Sequence, residues 1–310
     1  MRSGGPRIFD CFTFNGEHDL LWLRSRVLAG VVDRMVIAEA DRTFTGKPKA
    51  LQFDPARLPP DAPPVIYLPV RDLDAQPASA WENENRQRNA LARFLDSPPP
   101  EIAGGIHDND WLLLSDVDEI AHPRHLLAYE PRRYLSAILE QRFFFYAFNN
   151  ESVDAEGRPN LWRRARVTTV RHFRDWYGSM RRLRDYRTDG PLRSVRRAWD
   201  KLRTQSIADA GWHFSYLMTP EQIVEKLAAF SHQEFNTPEI ASVEFIRKCM
   251  AEGRDLFGHG RTRAVPLDST FPAALQTEAE KFAKFILPLE GPASGPRAPT
   301  SVWGAQSPGT

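Results

Sequence analysis

The sequence predicts an α/β protein: a largely parallel sheet flanked by helices, in a single domain with a C-terminal helical extension. Three observations predict it. Over residues 7–120, apolar runs of strand length alternate with amphipathic helical stretches, the pattern of βαβ units. The stretch Trp111–Ile120, WLLLSDVDEI, opens with an unbroken apolar run, as a strand buried on both faces requires. That run ends in three carboxylates, Asp116, Asp118 and Glu119. Buried strands do not normally end so, because each charge carries a desolvation penalty unless something pairs with it. A divalent cation is the simplest partner. Alternate residues of a strand share a face, so Asp116 and Asp118 reach one ion if the strand persists that far. The alternative is a solvated strand end whose acids cap the next helix.

The elements follow in order. Arg7–Phe14 reads as a first strand, and Asn15-Gly16 as a turn. Glu17–Leu28 reads as a helix with Leu20, Leu21, Leu23 and Val27 for the core, stopped by Gly30. Val31–Ala40 is a second strand. The loop Asp41–Lys49 follows it, and loops at the carboxyl ends of parallel strands bind ligands in open α/β sheets. Arg42 and Lys47 suit a phosphate or a sugar hydroxyl there; the alternative is a plain connection. Val65–Val70 is a third strand, and Trp81–Leu95 a helix with Asn85, Arg86, Arg88 and Asn89 on its polar face. Forked arginine contacts from such a face can grip a diphosphate. Taken alone, the pattern equally describes a solvated face.

Beyond Ile120, Leu139–Asn150 reads as an aromatic strand, mostly core, with a polar end at Asn149–Asp154. Trp162–Phe173 reads as a strand or strand pair. Arg174–Arg203 lacks periodicity and reads as a long loop. Gly211–Met218 is a short strand around His213. Thr219-Pro220-Glu221 caps a helix running to about Phe230, and Pro238–Ala251 is another helix. Residues after Leu289 are small and proline-rich, and a disordered tail is expected over residues 290–310.

Composition narrows the function. The chain has 310 residues, 42% of them hydrophobic and 11% aromatic, ample for a core. It contains no membrane-length apolar stretch, signal-peptide pattern, GxGxxG or GxxxxGK[ST]. Cys11 and Cys249 form no metal motif and read as buried thiols of a cytoplasmic protein. Net charge is +1, yet residues 158–203 hold fourteen arginines and Lys201 against Asp175, Asp185, Asp189 and Asp200, a local +11. The whole is not basic enough for a dedicated nucleic-acid binder. The block is either a solvated surface or a patch for phosphates or for peripheral contact with anionic lipid.

Several segments together resemble glycosyltransferase family 17: IFDCFTFNGEHDLLWLR, VVDRMVIAEADRTFTGKPKALQF, ENRQRNAL, WLLLSDVDEI and GWHFSYLMTPEQIVEKLAAFSHQEFN. They occur in the family's order over roughly residues 7–255. The best-known members are β-1,4-mannosyl-glycoprotein 4-β-N-acetylglucosaminyltransferases. This chain shows no membrane anchor and looks like a shorter, bacterial-type member. The resemblance implies a GT-A-like, Rossmann-type sheet that binds a nucleotide-sugar. It divides the chain into a tail (residues 1–6), a nucleotide-binding half (7–120) and an acceptor half with a helical end (121–289). It implies Mn²⁺ or Mg²⁺ on Asp116 and Asp118, with His213 as a late third ligand or else a satisfied core residue. Glu39, Arg42, Thr43 and Lys47 would line the nucleotide pocket, and Arg88 and Asn89 would approach the diphosphate or donor sugar. UDP-GlcNAc is the implied donor and a glycan the acceptor.

Inversion, also implied, needs a general base on the acceptor side of the sugar. Glu119, Glu151, Asp154 and Asp175 are the candidates, with Glu151 and Asp154 favoured because they follow the aromatic strand. His232, within SHQEFN, is a candidate for acceptor or phosphate contact, or a helix C-terminal cap. Two other function classes compete. One is a metal-dependent hydrolase or phosphotransferase, for which no nucleophile or two-metal cluster is evident. The other is a non-catalytic binder of glycans or anionic polysaccharide.

Overall fold

The computed structural model describes residues 5–185, 193–258 and 260–289. The described residues fall into two compact units. One comprises those of Met1–Arg142, Leu161–His213 and Ala229–Ser231; the other those of Phe143–Asn160, Phe214–Ala228 and His232–Thr310. The strands in chain order are β1 (Ile8–Thr13), β2 (Arg34–Ala40), β3 (Val65–Val70), β4 (Trp111–Asp116), β5 (Glu119–Ala121), β6 (Ser136–Leu139), β7 (Gln141–Phe145), β8 (Asn150–Val153), β9 (Leu161–Trp162), β10 (Arg166–Thr169), β11 (Thr204–Ile207), β12 (Gly211–Ser215) and β13 (Arg261–Ala264).

The first unit is built on a sheet of order β11-β6-β10-β4-β1-β2-β3. β1 runs parallel to β2 and β4, β2 to β3, and β6 to β11. β10 is antiparallel to both β4 and β6, so the sheet is parallel except for that one strand. β4 is buried on both faces, as its composition predicts. Leu112 and Leu114 join a cluster with Leu91, Phe94, Phe173, Met180 and Leu183, while Trp111 and Leu113 join Leu28, Leu126 and Tyr129 on the other side. Each such side chain contributes about 1.5–3 kcal/mol.

Seven helices are described in this unit: α1 (His18–Leu28), α2 (Ala80–Ala90), α3 (Arg93–Asp96), α4 (Pro123–Leu126), α5 (Val170–His172), α6 (Met180–Asp185) and α7 (Arg193–Leu202). In α1, Leu20, Leu21 and Leu23 are buried as expected, but the remaining inward places belong to Arg24, Ser25 and Leu28, with Val27 only half-buried. The helix expected over Trp81–Leu95 ends at Ala90 and resumes as α3; the Leu91 N–H turns back to the carbonyls of Arg88 and Asn89.

Trp162–Phe173 holds the end of β9 and the whole of β10, but these pair with other strands, β9 with β7 and β10 with β4 and β6, and Thr169 then caps α5. That helix continues as a π-turn over Phe173–Tyr177 and stops at Gly178, at φ +67°. The long loop expected over Arg174–Arg203 is replaced, among the described residues, by this turn, α6 and α7; residues 186–192 lie outside them. In α6 the buried positions are Met180, Leu183 and Arg184, spaced as one helical face. With an arginine at one of them, the apolar period disappears from the sequence.

α7 turns Asp200 inward, 3% exposed, where it accepts the Tyr177 hydroxyl at 2.7 Å and the Trp176 indole N–H at 3.2 Å. Burial pushes the Asp200 carboxyl above its usual range, against the pull of Tyr177 and Arg166. A raised folded-state value means that this group favours folding most below its unfolded pKa, and that the benefit fades as pH rises through the folded value. Asp200→Asn keeps the acceptor oxygen and removes the titration. Thermal melts should show the variant more stable than the parent at pH 7, with the difference closing toward pH 4.

The single strand expected over Leu139–Asn150 is broken. Glu140 separates β6 from β7, and the chain turns after Phe145, with Tyr146 at φ +66°. An apolar run with no glycine or proline gives no notice of that turn. In the second unit β13 is antiparallel to β8, and Phe144 of β7 pairs with Glu151 of β8. The unit also holds α8 (Pro220–Ala229), α9 (Val243–Ala251), α10 (Ala273–Thr277) and α11 (Ala279–Phe282). α9 starts at Val243, not near Pro238, because Ser242 accepts the Phe245 N–H as its cap. Phe145, Tyr146, Tyr216, Ile223, Leu227, Ile246 and Cys249 form the core there. Both cysteines are buried free thiols. The tail expected over residues 290–310 lies outside the described residues.

Candidate active site

The acids at the end of β4 are held in the first unit by three arginines. β4 stops at Asp116, Val117 and Asp118 form a turn, and β5 begins at Glu119. The strand alternation that would put Asp116 beside Asp118 therefore does not persist. The turn is clamped from α1 by Arg24, wholly buried. It donates to the carbonyls of Asp116 at 3.0 Å and Glu119 at 2.8 Å and to the Ser115 hydroxyl at 2.6 Å, while forking onto Asp10 of β1. The Glu119 side chain bends back to accept the Asp116 N–H at 3.0 Å.

His213 reaches this turn through sheet register. β12 runs antiparallel to β5 and sets His213 opposite Glu119. One ligand atom from each of Asp118, Glu119 and His213 lies within 4.8 Å of the others. Asp118 Oδ2 lies 3.5 Å from His213 Nε2. Trp162 of β9 packs its ring on His213 at 4.4 Å and donates its indole N–H to Glu119 at 2.5 Å.

The register depends on Gly211. Its φ is +141°, and a Cβ there would lie 2.1 Å from the Ile120 carbonyl oxygen and 3.0 Å from the Ala121 Cα, both backbone. Gly211→Ala should destabilise the protein by about 1–3 kcal/mol through overpacking and should loosen the His213–Glu119 pairing. Urea unfolding midpoints measure the first effect and turnover the second.

Two arginines converge on Asp116. Arg184 of α6 forks onto Glu119, at 2.6 Å to each oxygen, and reaches Asp116 at 2.7 Å. Arg88 of α2 donates to Asp116 at 3.2 Å and to Glu84 at 2.8 Å, and Glu84 in turn accepts the Ser231 hydroxyl. Packing around Asp116 works to raise its carboxyl, but Arg184 and then Arg88 outweigh it and hold the group well below the usual carboxylate range. The same acids hold both guanidinium groups more firmly protonated, against the opposing effect of burial.

The donor set of Asp118, Glu119 and His213 combines carboxylate oxygens with an imidazole, which suits Mn²⁺ better than the oxygen-preferring Mg²⁺. Asp118 and His213 fit such an ion. Glu119 is already engaged at both oxygens by Arg184, so its part in a metal shell requires an exchange with that arginine. Asp116 lies outside the three-residue group, as the partner of the arginines.

Other expected residues have internal roles. Glu39 is buried at the end of β2 and accepts the N–H groups of Gln52 and Phe53 and the Tyr67 hydroxyl. The Arg42–Lys47 loop closes on itself: the Thr43 N–H donates to the Lys47 carbonyl at 2.8 Å, and Arg42 donates to the Gly46 carbonyl at 3.1 Å. Lys47 is exposed. Asn89 accepts the Arg181 N–H at 3.0 Å and so ties α2 to α6. In the second unit, Glu151 is buried and paired with Arg263 at 3.0 Å. Asp154 caps the turn to Arg158, and His232 meets Glu234 at 2.6 Å.

Sequence reasoning missed Arg24, Arg184, Trp162 and Glu84. A signal existed for Arg24: Asp10 sits inside the apolar strand IFDCFT and needs a buried cation.

No curated protein sequence matches the chain. Among solved structures, the WbbM bifunctional glycosyltransferase in its apo form is similar at 11% identity with a TM-score of 0.32, over 67% of this chain and 39% of that one. No described helix is long and apolar enough to cross a membrane. Residues 1–261 match the model of glycosyltransferase family 17, and the chain therefore belongs to that family of sugar-transferring enzymes.

Proposed function

We propose that the protein moves a sugar, GlcNAc from UDP-GlcNAc, with inversion onto a glycan hydroxyl, in a GT-A-like fold and with Mn²⁺ or Mg²⁺ bound. The observation that carries the reading is the meeting of Asp118, Glu119 and His213 at the carboxyl end of the central strand. A cation there would neutralise the departing diphosphate. Asp118 and His213 hold it. Trp162 fixes the His213 ring, and Arg184 fixes Glu119. Arg88, anchored by Glu84 and Asp116, presents a buried guanidinium beside the same turn, suited to a phosphate oxygen. Glu119 has both oxygens engaged, so it positions the site and does not serve as the general base.

Glu151, Asp154 and Asp175 remain the base candidates, with Glu151 and Asp154 favoured. The amide variant of the true base loses turnover while donor affinity stays unchanged; equal turnover in Glu151→Gln and Asp154→Asn removes both. Calorimetry of UDP binding tests the metal. Affinity should rise at least about tenfold when Mn²⁺ is present, a gain of about 1.4 kcal/mol. Identical binding in EDTA would defeat the metal assignment and favour a second reading, in which Arg88 and Arg184 grip the diphosphate alone. Arg88→Gln would then lose the metal-free binding.

A further inference from the structure

α7 presents its apolar residues to solvent and its acid to the interior. Val195, Trp199 and Leu202 are 67%, 45% and 69% exposed, and Ala198 between them is exposed too. At about 100° per residue, these positions form one continuous stripe. Asp200 lies on the opposite face, buried against Tyr177 and Trp176. Cations border the stripe on both sides. The exposed Lys201 flanks one edge and the half-buried Arg196 and Arg203 flank the other, with the exposed Arg197 farther round toward the Asp200 face. Arg203 stands over the Trp199 ring at 5.6 Å. The stretch Arg193–Arg203 has five cationic residues against Asp200 alone.

An ordinary surface helix shows the reverse arrangement. We propose that α7 rests on an anionic lipid bilayer, with Val195, Trp199 and Leu202 entering the boundary between headgroups and acyl chains. Lys201 and Arg203, one at each edge of the stripe, meet the lipid phosphates. Three features select this occupant. The cations match a negative surface, and the helix's one acid is turned away from it. The tryptophan has an apolar body and a polar edge, as residues at the membrane interface do. Low mean hydropathy combined with sharp segregation of the two faces distinguishes a helix lying in the interface from one crossing the bilayer. The placement makes no use of the acids at the end of β4 and is independent of the transferase reading.

The test is co-sedimentation of the full chain with phosphatidylcholine vesicles, with and without phosphatidylglycerol. Binding should require the anionic lipid and weaken as salt is added. Lys201→Gln with Arg203→Gln should lower partitioning more than tenfold, since each charge is worth about fivefold. Val195→Ser, Trp199→Ser and Leu202→Ser together should abolish it without lowering the Tm, because these side chains are exposed. Asp118→Asn should bind vesicles as the parent does. Equal binding to neutral and anionic vesicles overturns the proposal, as does full binding by the triple serine variant. So does failure to bind vesicles, whether the chain instead retains heparin or forms a dimer that the triple variant disrupts.

Discussion

Arg184→Met is expected to destabilise the protein by about 3–5 kcal/mol, the cost of leaving a buried carboxylate without its cation. Arg184 donates to both oxygens of Glu119, whose side chain is fully buried, and to Asp116. Methionine fills similar space but satisfies none of these acceptors. Arg184→Lys should recover little, because a single ammonium cannot span both oxygens of Glu119 and Asp116 in the planar fork that arginine provides. Urea unfolding at fixed pH measures the loss. Its pH dependence separates a charge effect from a packing effect. With Asp116 held below its usual range, the parent has this stabilisation fully above the unfolded aspartate value, about 3.9, and loses it as pH falls through the folded value. The deficit of Arg184→Met should therefore be greatest near neutrality and shrink on acidification. A deficit that stayed constant between pH 7 and pH 3 would mean that the arginine acts by volume alone.

The contrast between β4 and α6 shows what was legible in the sequence. WLLLSD announces a central strand because both of its faces are apolar, and the structure places alternate residues in two separate cores. The acids after it mark the site for the same reason: charge beside buried strand is costly and needs a cause. MRRLRD announces nothing, although its inward face is as regular as any helix, because one inward residue is an arginine. A pattern scored on hydrophobicity counts Arg184 as solvent-facing, while the energetics of the fold treat it as core. The pairing of His213 with Glu119 was hidden differently. It is set by antiparallel register between distant short strands and by the close approach that only Gly211 allows. Neither is a local property. Asp118 was found for a reason that does not hold, since the strand ends before it and a turn carries it to His213 instead.

Asp118→Asn and His213→Ala should each reduce turnover about 10²–10³-fold, the several kcal/mol of transition-state charge stabilisation that a metal contributes. The two should differ in what else they change. Asn keeps the shape of the side chain but loses the charge, so Asp118→Asn should raise the Mn²⁺ concentration needed for half-maximal rate and leave the fold intact. His213→Ala removes a ring that packs on Trp162 at 4.4 Å and so disturbs the indole that donates to Glu119. Its metal requirement should rise and its Tm should fall. Trp162→Phe provides the control, since it keeps an aromatic ring beside His213 while deleting the N–H together with the second ring of the indole. If His213 acts through the ion, Trp162→Phe should retain most of the parent's metal affinity while Glu119 loses one hydrogen bond, about 1.5–3 kcal/mol for an acceptor that is charged. If His213 merely packs, Trp162→Phe and His213→Ala should alter stability in parallel, and neither should move the Mn²⁺ titration. A metal-titration curve unchanged in both Asp118→Asn and His213→Ala would assign the turn after β4 to structure and place the chemistry of transfer on the arginines.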